Sequence, residues 1–123
     1  MTDASTTGAA ELSAEDRKLV TLARATRART GAAEGAAVRD RDGRTYAAAT
    51  VDLPSLQVSA LGTCIAMAVA SGSGGLEAAV VLTEAVALAE ADLAAVRDFA
   101  GDGVVLHRGD PRGVVGETLT SER

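Results

Sequence analysis

The sequence has very few of the side chains that bind transition metals. It contains one cysteine, Cys64, and one histidine, His107. A catalytic zinc ion usually takes three protein ligands, mostly His and Cys, and keeps one position for water. A single cysteine also cannot form an intramolecular disulfide, which is typical of a reducing compartment. We therefore expect no zinc site and no disulfide, with Cys64 as a small core residue and His107 as a surface imidazole.

Aromatic side chains are almost as rare, since Tyr46 and Phe99 are the only two. They leave little surface for stacking on nucleobases. The net charge of -5 also disfavours binding to a phosphate backbone, which depends mainly on clustered Lys and Arg. The N-terminal stretch has no cationic start, and no uncharged apolar run reaches the length of about 18 residues that a membrane helix needs. We expect a soluble cytoplasmic protein that binds neither nucleic acid nor membrane.

Length and composition fit one folded domain. The hydrophobic fraction of 47 % and the charged fraction of 24 % are ordinary for a globular protein. Residues 1–12 lack periodicity and are predicted to be a disordered tail, which leaves residues 13–123 as the domain. Basic residues concentrate in residues 14–46, and acidic residues dominate from residue 47 onward. This pattern fits either a solvated helix face or two surfaces of opposite sign that a partner or another copy would meet.

Hydrophobic periodicity and turn residues predict the element order α-β-β-α-β-α-β-β. Ser13 is a predicted N-cap of the first helix, and Gly31 is its predicted end. The patterns predict helices over 14–29, 54–70 and 88–100 and strands over 34–39, 44–51, 76–82, 104–107 and 114–119. The second helix is apolar all round, which is typical of a helix inside a layered α/β domain.

This order, together with several short motifs, resembles the small cytidine deaminases. Glu34-Gly35-Ala36-Ala37-Val38 is similar to the family strand VGAAV, and Asp42-Gly43-Arg44-Thr45-Tyr46 to its DGRVY turn. Ala68 to Gly72 is similar to AVSEG, Val96 to Ala100 to LREFA, and Gly116 to Leu119 to GELL. The resemblance covers residues 14–120 and implies a three-layer α/β/α fold with a mixed five-stranded sheet. It also implies a homo-oligomer, dimer or tetramer, assembled through the core helices.

The first catalytic motif of that family, a Cys-Ala-Glu at the start of the core helix, is missing. Counting back from Gly72 places Ser59-Ala60-Leu61 at the motif. Counting forward from Thr50 places Leu61-Gly62-Thr63 there instead. Neither register supplies the thiolate or the glutamate that shuttles protons in the deaminases.

The second motif, Pro-Cys-x-x-Cys at the start of the next helix, is also missing. Counting back from Phe99 places Ala89 and Asp92 at the positions of its two thiolates. The resemblance therefore implies vestigial positions at Ser59, Leu61, Ala89 and Asp92, with no catalytic residue, metal or cofactor.

A remnant of the substrate site is expected at Thr50-Val51-Asp52, which is similar to the ribose-binding Asn-x-Glu of the family. Asp52 keeps a carboxylate acceptor, on a side chain one methylene shorter than the glutamate of the family. The phenylalanine that packs on the pyrimidine in the family corresponds to a position near Ala32. Our leading hypothesis is a catalytically inactive cytidine deaminase-like protein, a pseudoenzyme that acts through contacts with its own copies or an unidentified protein partner. The alternatives are an active cytidine or nucleoside deaminase with an unconventional site, and a non-catalytic nucleoside- or nucleotide-binding sensor.

Overall fold

The computed structural model describes residues 12–122, and this part of the chain forms three helices, a five-stranded sheet and a small hairpin. The elements are α1 (Ala14–Thr30), β1 (Gly35–Asp40), β2 (Thr45–Ala49), β3 (Val51–Leu53), β4 (Leu56–Val58), α2 (Ala60–Ala70), β5 (Leu76–Leu82), α3 (Glu90–Ala100), β6 (Val105–Gly109) and β7 (Val115–Thr120). The predicted tail over residues 1–12 lies, apart from Leu12, outside the described residues. None of the described helices has the length and apolar character needed to span a membrane.

The sheet has the strand order β2-β1-β5-β6-β7. Strands β5 and β6 run parallel, and every other neighbouring pair runs antiparallel. Along β5, Val80 and Leu82 pack under α1, whereas Ala79 and Val81 pack under α2 and α3. This alternation buries both faces of the central strand. The predicted three-layer α/β/α fold with a mixed five-stranded sheet is confirmed.

Helix α1 begins after Ser13 and ends before Gly31, and the local chemistry of these two residues explains both boundaries. The Ser13 hydroxyl accepts a hydrogen bond from the backbone N–H of Asp16 at 3.1 Å. Gly31 adopts a left-handed conformation with φ of 67° and donates its N–H to the Arg27 carbonyl. Gly35 lets α1 lie close to β1, because a Cβ atom there would collide with the carbonyl oxygen of Ala23.

The prediction of one helix over 54–70 was wrong at its N-terminal end, since α2 starts only at Ala60. Strands β3 and β4 pair as a short hairpin around the turn Pro54–Ser55. The apolar residues of this segment satisfy a helical period and Pro54 is tolerated in a first helical turn, but Ser59 caps the helix that follows. The turn leaves Leu53 and Leu56 more than half exposed at its edges.

The prediction of a surface imidazole was also wrong, because His107 is only 4 % exposed. His107 follows Leu106 along β6 and therefore points to the face of the sheet under α1. Its Nε2 lies 2.7 Å from a carboxylate oxygen of Asp16, and its Nδ1 lies 2.8 Å from the Thr118 hydroxyl. Arg39 donates to the other Asp16 oxygen at 3.0 Å. These contacts tie the first turn of α1 to three strands of the sheet.

Candidate functional site

The start of α2 and the first turn of α3 meet through two side chains that lie far apart in the sequence. Ser59 is the N-cap of α2, with an extended backbone and a hydroxyl that accepts from the Gly62 N–H at 2.9 Å. The same hydroxyl donates to Oδ1 of Asp92 at 2.6 Å. Asp92 is a first-turn residue of α3 and is 9 % exposed. The structure therefore brings together two of the residues that sequence reasoning singled out.

The carboxylate of Asp92 suits this junction electrostatically. The N-terminus of an α-helix carries a partial positive charge, and an anion there is stabilised. Helix α2 has no acidic residue in its own first turn. Asp92 supplies a negative charge to α3 directly and to α2 through the hydroxyl of Ser59.

The other two singled-out positions carry no polar side chain toward this junction. Leu61 is fully buried in the core between the sheet and the helices α2 and α3. Ala89 is the N-cap of α3 and makes no side-chain capping bond. Thr63, which the alternative register would place in the motif, donates its hydroxyl to the Ser59 carbonyl at 2.9 Å. Of the two residues at which the missing motif would start, Ser59 donates a hydrogen bond to Asp92, whereas Leu61 has no polar group that could do so.

The donors at the junction do not fit a zinc ion. Ser59 offers a neutral hydroxyl that already donates to Asp92 and accepts from the Gly62 N–H, and Asp92 offers one carboxylate. Within residues 12–122, no group of three or more His, Cys, Asp or Glu side chains lies close enough together to hold a metal ion. A zinc ion needs at least one further nitrogen or sulfur donor beside these two.

The single cysteine and the single histidine lie on opposite faces of the sheet. Cys64 belongs to the core under α2, and its thiol approaches the Tyr46 carbonyl at 3.6 Å. Burial raises the pKa of the Cys64 thiol to about 12, so the thiol stays protonated at neutral pH. His107 lies under α1, where its two ring nitrogens are held by Asp16 and Thr118. Neither side chain reaches the junction of Ser59 and Asp92.

An open cleft of about 320 Å³ borders Ser59. Its lining includes Thr50 and Asp52, the two residues expected as a substrate-binding remnant. The Thr50 hydroxyl accepts from the backbone N–H of Glu34 at 3.0 Å, whereas the Asp52 side chain is exposed. The remaining lining residues are Glu34, Val51, Gln57 and Val58.

Glu34 is a cleft residue that sequence reasoning missed. Its carboxylate accepts a hydrogen bond from the Thr83 hydroxyl at 2.7 Å, which holds the side chain at the end of β5. The available signal was a departure from the family motif, because Glu34 stands where the strand VGAAV begins with valine. A carboxylate in place of an apolar strand residue indicates a polar environment, and the cleft provides it.

Comparisons with known proteins agree with this architecture. The family model described as cytidine deaminase-like matches residues 12–113. A search of curated proteins found no match. Among solved structures, the cytidine deaminase from Burkholderia pseudomallei superimposes with a TM-score of 0.72 at 22 % identity, covering 83 % of this chain and 90 % of that one.

Two further structures show the same fold at similarly low identity. The cytidine deaminase from Mycobacterium leprae gives a TM-score of 0.67 at 21 % identity, covering 85 % of this chain and 91 % of that one. The cytidine deaminase from Bacillus anthracis gives 0.64 at 14 % identity, covering 87 % and 84 %. On the family model and the shared fold, this chain belongs to the cytidine deaminase-like family.

Proposed function

We propose that this chain is a catalytically inactive member of its family, which acts by binding rather than by hydrolysis. The observation that carries the proposal is the hydrogen bond between Ser59 and Asp92. In the register that starts the first missing motif at Ser59, the family resemblance implies zinc ligands at Ser59, Ala89 and Asp92. In this chain the same positions supply a capping hydroxyl, a paired carboxylate and a methyl group.

The energetic argument rests on how a hydrolytic deaminase obtains its nucleophile. Zinc lowers the pKa of bound water from about 15.7 to roughly 7, which corresponds to about 12 kcal/mol at 1.36 kcal/mol per pKa unit. A hydroxyl and one carboxylate do not replace that effect. The position expected for the proton-shuttling glutamate holds Leu61, which is fully buried and has no titratable group.

Local charge explains how the junction tolerates the loss of a metal. A zinc ion bound by three thiolates carries a single net negative charge, and so does one carboxylate. Asp92 therefore leaves the two helix N-termini beside the same net charge that a zinc site would give them. Replacing the three thiolates by the Asp92 carboxylate removes the zinc ion, which is the Lewis acid, but keeps a net negative charge beside the helix N-termini.

A homo-oligomer is the form in which we expect the protein to act. The resemblance implies dimers or tetramers assembled through the core helices, and α2 carries no charged residue. Val69 on α2 and the hairpin residues Leu53 and Leu56 are each more than half exposed. Apolar side chains exposed in this way are suited to burial against another copy. The reduced state expected of the lone cysteine supports a cytoplasmic location for this assembly.

A nucleoside sensor is the second candidate, and the cleft favours it. Thr50, Asp52 and Glu34 place hydroxyl and carboxylate groups around a space of about 320 Å³. Such groups accept hydrogen bonds from the hydroxyls of a sugar. The aromatic ring that stacks on the pyrimidine in the family falls near Ala32, so we expect any nucleoside to bind weakly.

One set of measurements separates these functions. We expect no uridine from cytidine above a buffer blank, with or without added zinc. For a sensor, a nucleoside raises the melting temperature of the wild-type protein and not of Asp52→Ala. For a protein acting through contacts, no nucleoside changes the melting temperature, while sedimentation shows a dimer or tetramer. Formation of uridine at a rate proportional to protein concentration would overturn the proposal in favour of an active deaminase.

A further inference from the structure

The outer surface of α1 carries two rows of cationic side chains. Arg17 and Arg24 are separated by about two helical turns, and Lys18 and Arg29 by about three, so the members of each pair lie on one line along the helix. All four side chains are exposed. The two rows are separated by roughly 100° around the helix axis, because Lys18 follows Arg17 directly and each residue of a helix advances by about that angle.

Small residues separate the two rows. Thr21, Ala25 and Ala28 fall between them in helical projection and are exposed. Leu22, which is 37 % exposed, lies beyond the row of Lys18 and Arg29. This surface is a shallow strip bounded by positive charge on both sides. We call it the basic face, and it consists of Arg17, Lys18, Thr21, Leu22, Arg24, Ala25, Ala28 and Arg29.

The charges of the basic face are left largely uncompensated within the described residues. Arg17 donates to the carbonyl of Leu12 at 2.8 Å, and Arg24 donates to the carbonyl of Arg112 at 3.5 Å; both acceptors are neutral. Over residues 12–122, the only ion pair on this face joins Lys18 to Glu15 at 3.7 Å, with both side chains more than 60 % exposed. An exposed pair of this kind is weak. Because the whole chain has a net charge of -5, this local excess of positive charge is not a general property of the protein.

We propose that the basic face docks an acidic amphipathic helix of a partner protein. Carboxylates on the two flanks of such a helix would meet the two rows, and its small apolar side chains would lie over the strip of Thr21, Ala25 and Ala28. The face extends about 18 Å from Arg17 to Arg29 at 1.5 Å per residue, which matches about three turns of a partner helix. Charge complementarity sets the register, and the apolar strip adds contact area.

Acidic residues at both ends of the basic face favour a short protein segment over a long polyanion. Glu15 lies at the N-terminal end. Beside α1, Glu84 and Asp110 line one depression together with Arg27 and Arg112, so two carboxylates and two arginines meet there. A nucleic acid or an anionic membrane extends beyond this length and would meet Glu15 on one side and a depression of balanced charge on the other. A helix of limited length would not meet them.

The basic face also stays available in any assembly built through the opposite layer. Helix α1 packs on one side of the sheet, whereas α2 and α3 pack on the other. An oligomer formed through α2 therefore leaves α1 facing outward. Docking at α1 is independent of the state of the Ser59 junction, so it would stand even if the proposed loss of catalysis were wrong.

The test uses a fluorescein-labelled peptide of about three helical turns, with Glu on both flanks of a Leu and Ala stripe. Its binding to the full chain is followed by fluorescence anisotropy at about 50 mM and about 200 mM salt. We expect Arg29→Glu to weaken binding at least about fivefold and Arg24→Glu with Arg29→Glu to abolish it, since reversed charges repel the peptide carboxylates. Arg44→Glu is the matched control, because Arg44 is equally exposed and lies outside α1; we expect its affinity within about twofold of wild type.

Results of three kinds would overturn the proposal. The first is an equal loss of affinity in Arg29→Glu and Arg44→Glu, which indicates general charge attraction. The second is equal binding of a scrambled peptide of the same composition, or no binding of either peptide at low salt. The third is tighter binding of double-stranded DNA or of anionic phosphatidylglycerol vesicles, with the same dependence on Arg29. Circular dichroism of each variant confirms that the fold is intact.

Discussion

The hydroxyl of Ser59 lies 2.6 Å from Oδ1 of Asp92, so a neutral donor and a carboxylate join the starts of two helices. This contact is at once the strongest argument against a metal at the junction and a structural link between α2 and α3. If this hydrogen bond stabilises the packing of α2 against α3, the effects of the two side chains on the free energy of unfolding should be coupled.

A double-mutant cycle measures the coupling free energy between Ser59 and Asp92. We expect Ser59→Ala and Asp92→Ala each to lower the free energy of unfolding by about 1–3 kcal/mol, because each change leaves a partly buried polar partner unpaired. The double variant is expected to lose about 1 kcal/mol less than the sum of the two single changes. Urea unfolding gives all three values. Asp98→Ala, on the exposed side of the same helix, is the control and should change stability by less than about 0.5 kcal/mol.

Restoring thiols at the three positions should create a zinc site. The variant Ser59→Cys, Ala89→Cys, Asp92→Cys is expected to retain about one zinc ion per chain after dialysis against apo buffer, because three thiolates then converge at the two helix N-termini. The comparison variant carries Asp92→Ala and Asp98→Cys in place of Asp92→Cys, and so has the same number of thiols in a different arrangement and no carboxylate at position 92. Equal zinc retention by both variants would show that the three positions do not converge.

The pH dependence of stability should include a contribution from Asp16. Burial alone would raise the pKa of this carboxyl, but hydrogen bonds from His107 and Arg39 outweigh it and hold the pKa below its ordinary value of 3.8. A carboxyl with a lowered pKa in the folded state stabilises the fold above its unfolded pKa, and this stabilisation is lost as the pH falls through the folded value.

Asp16→Asn isolates this contribution. We expect the variant to be less stable than wild type at neutral pH by about 1–3 kcal/mol. The difference should shrink when urea unfolding is repeated below about pH 4. Glu15→Gln, on the neighbouring exposed residue, should show no such convergence. A difference between Asp16→Asn and wild type that is constant with pH would contradict the role assigned to the Asp16 carboxylate.

The thiol of Cys64 should be unreactive in the folded protein. Burial raises its pKa to about 12, so almost none of it is thiolate at pH 8. A disulfide reagent that releases a coloured thiol is expected to react slowly with the native chain and completely after unfolding in urea. Rapid reaction of the native protein would place Cys64 at the surface and contradict its position in the core.

The sequence predicted most of the layered fold because its signals are local. Ser13 and Gly31 mark the ends of α1 through capping chemistry, and the apolar run of β5 fits a strand buried on both faces. The β3–β4 hairpin was missed because its apolar residues fit a helical period as well as a strand. Ser59 was the local signal that the helix starts later, because its hydroxyl caps α2.

The site was harder to predict, since its contacts join distant parts of the chain. Motif spacing placed Ser59 and Asp92 in one site, but their direct hydrogen bond depends on how α2 and α3 pack. His107 was expected at the surface because its buried partner Asp16 lies on the first helix, far away in sequence. Glu34 showed its role only when the structure placed it beside Thr50 in the cleft.

The zinc content of the purified wild-type chain tests the central claim most directly. It is measured by inductively coupled plasma mass spectrometry after expression in zinc-supplemented medium, with the melting temperature recorded in the presence and absence of a chelator. The account predicts far less than one zinc ion per chain and a melting temperature that the chelator does not change. About one tightly bound zinc ion per chain, whose removal lowers the melting temperature, would contradict it.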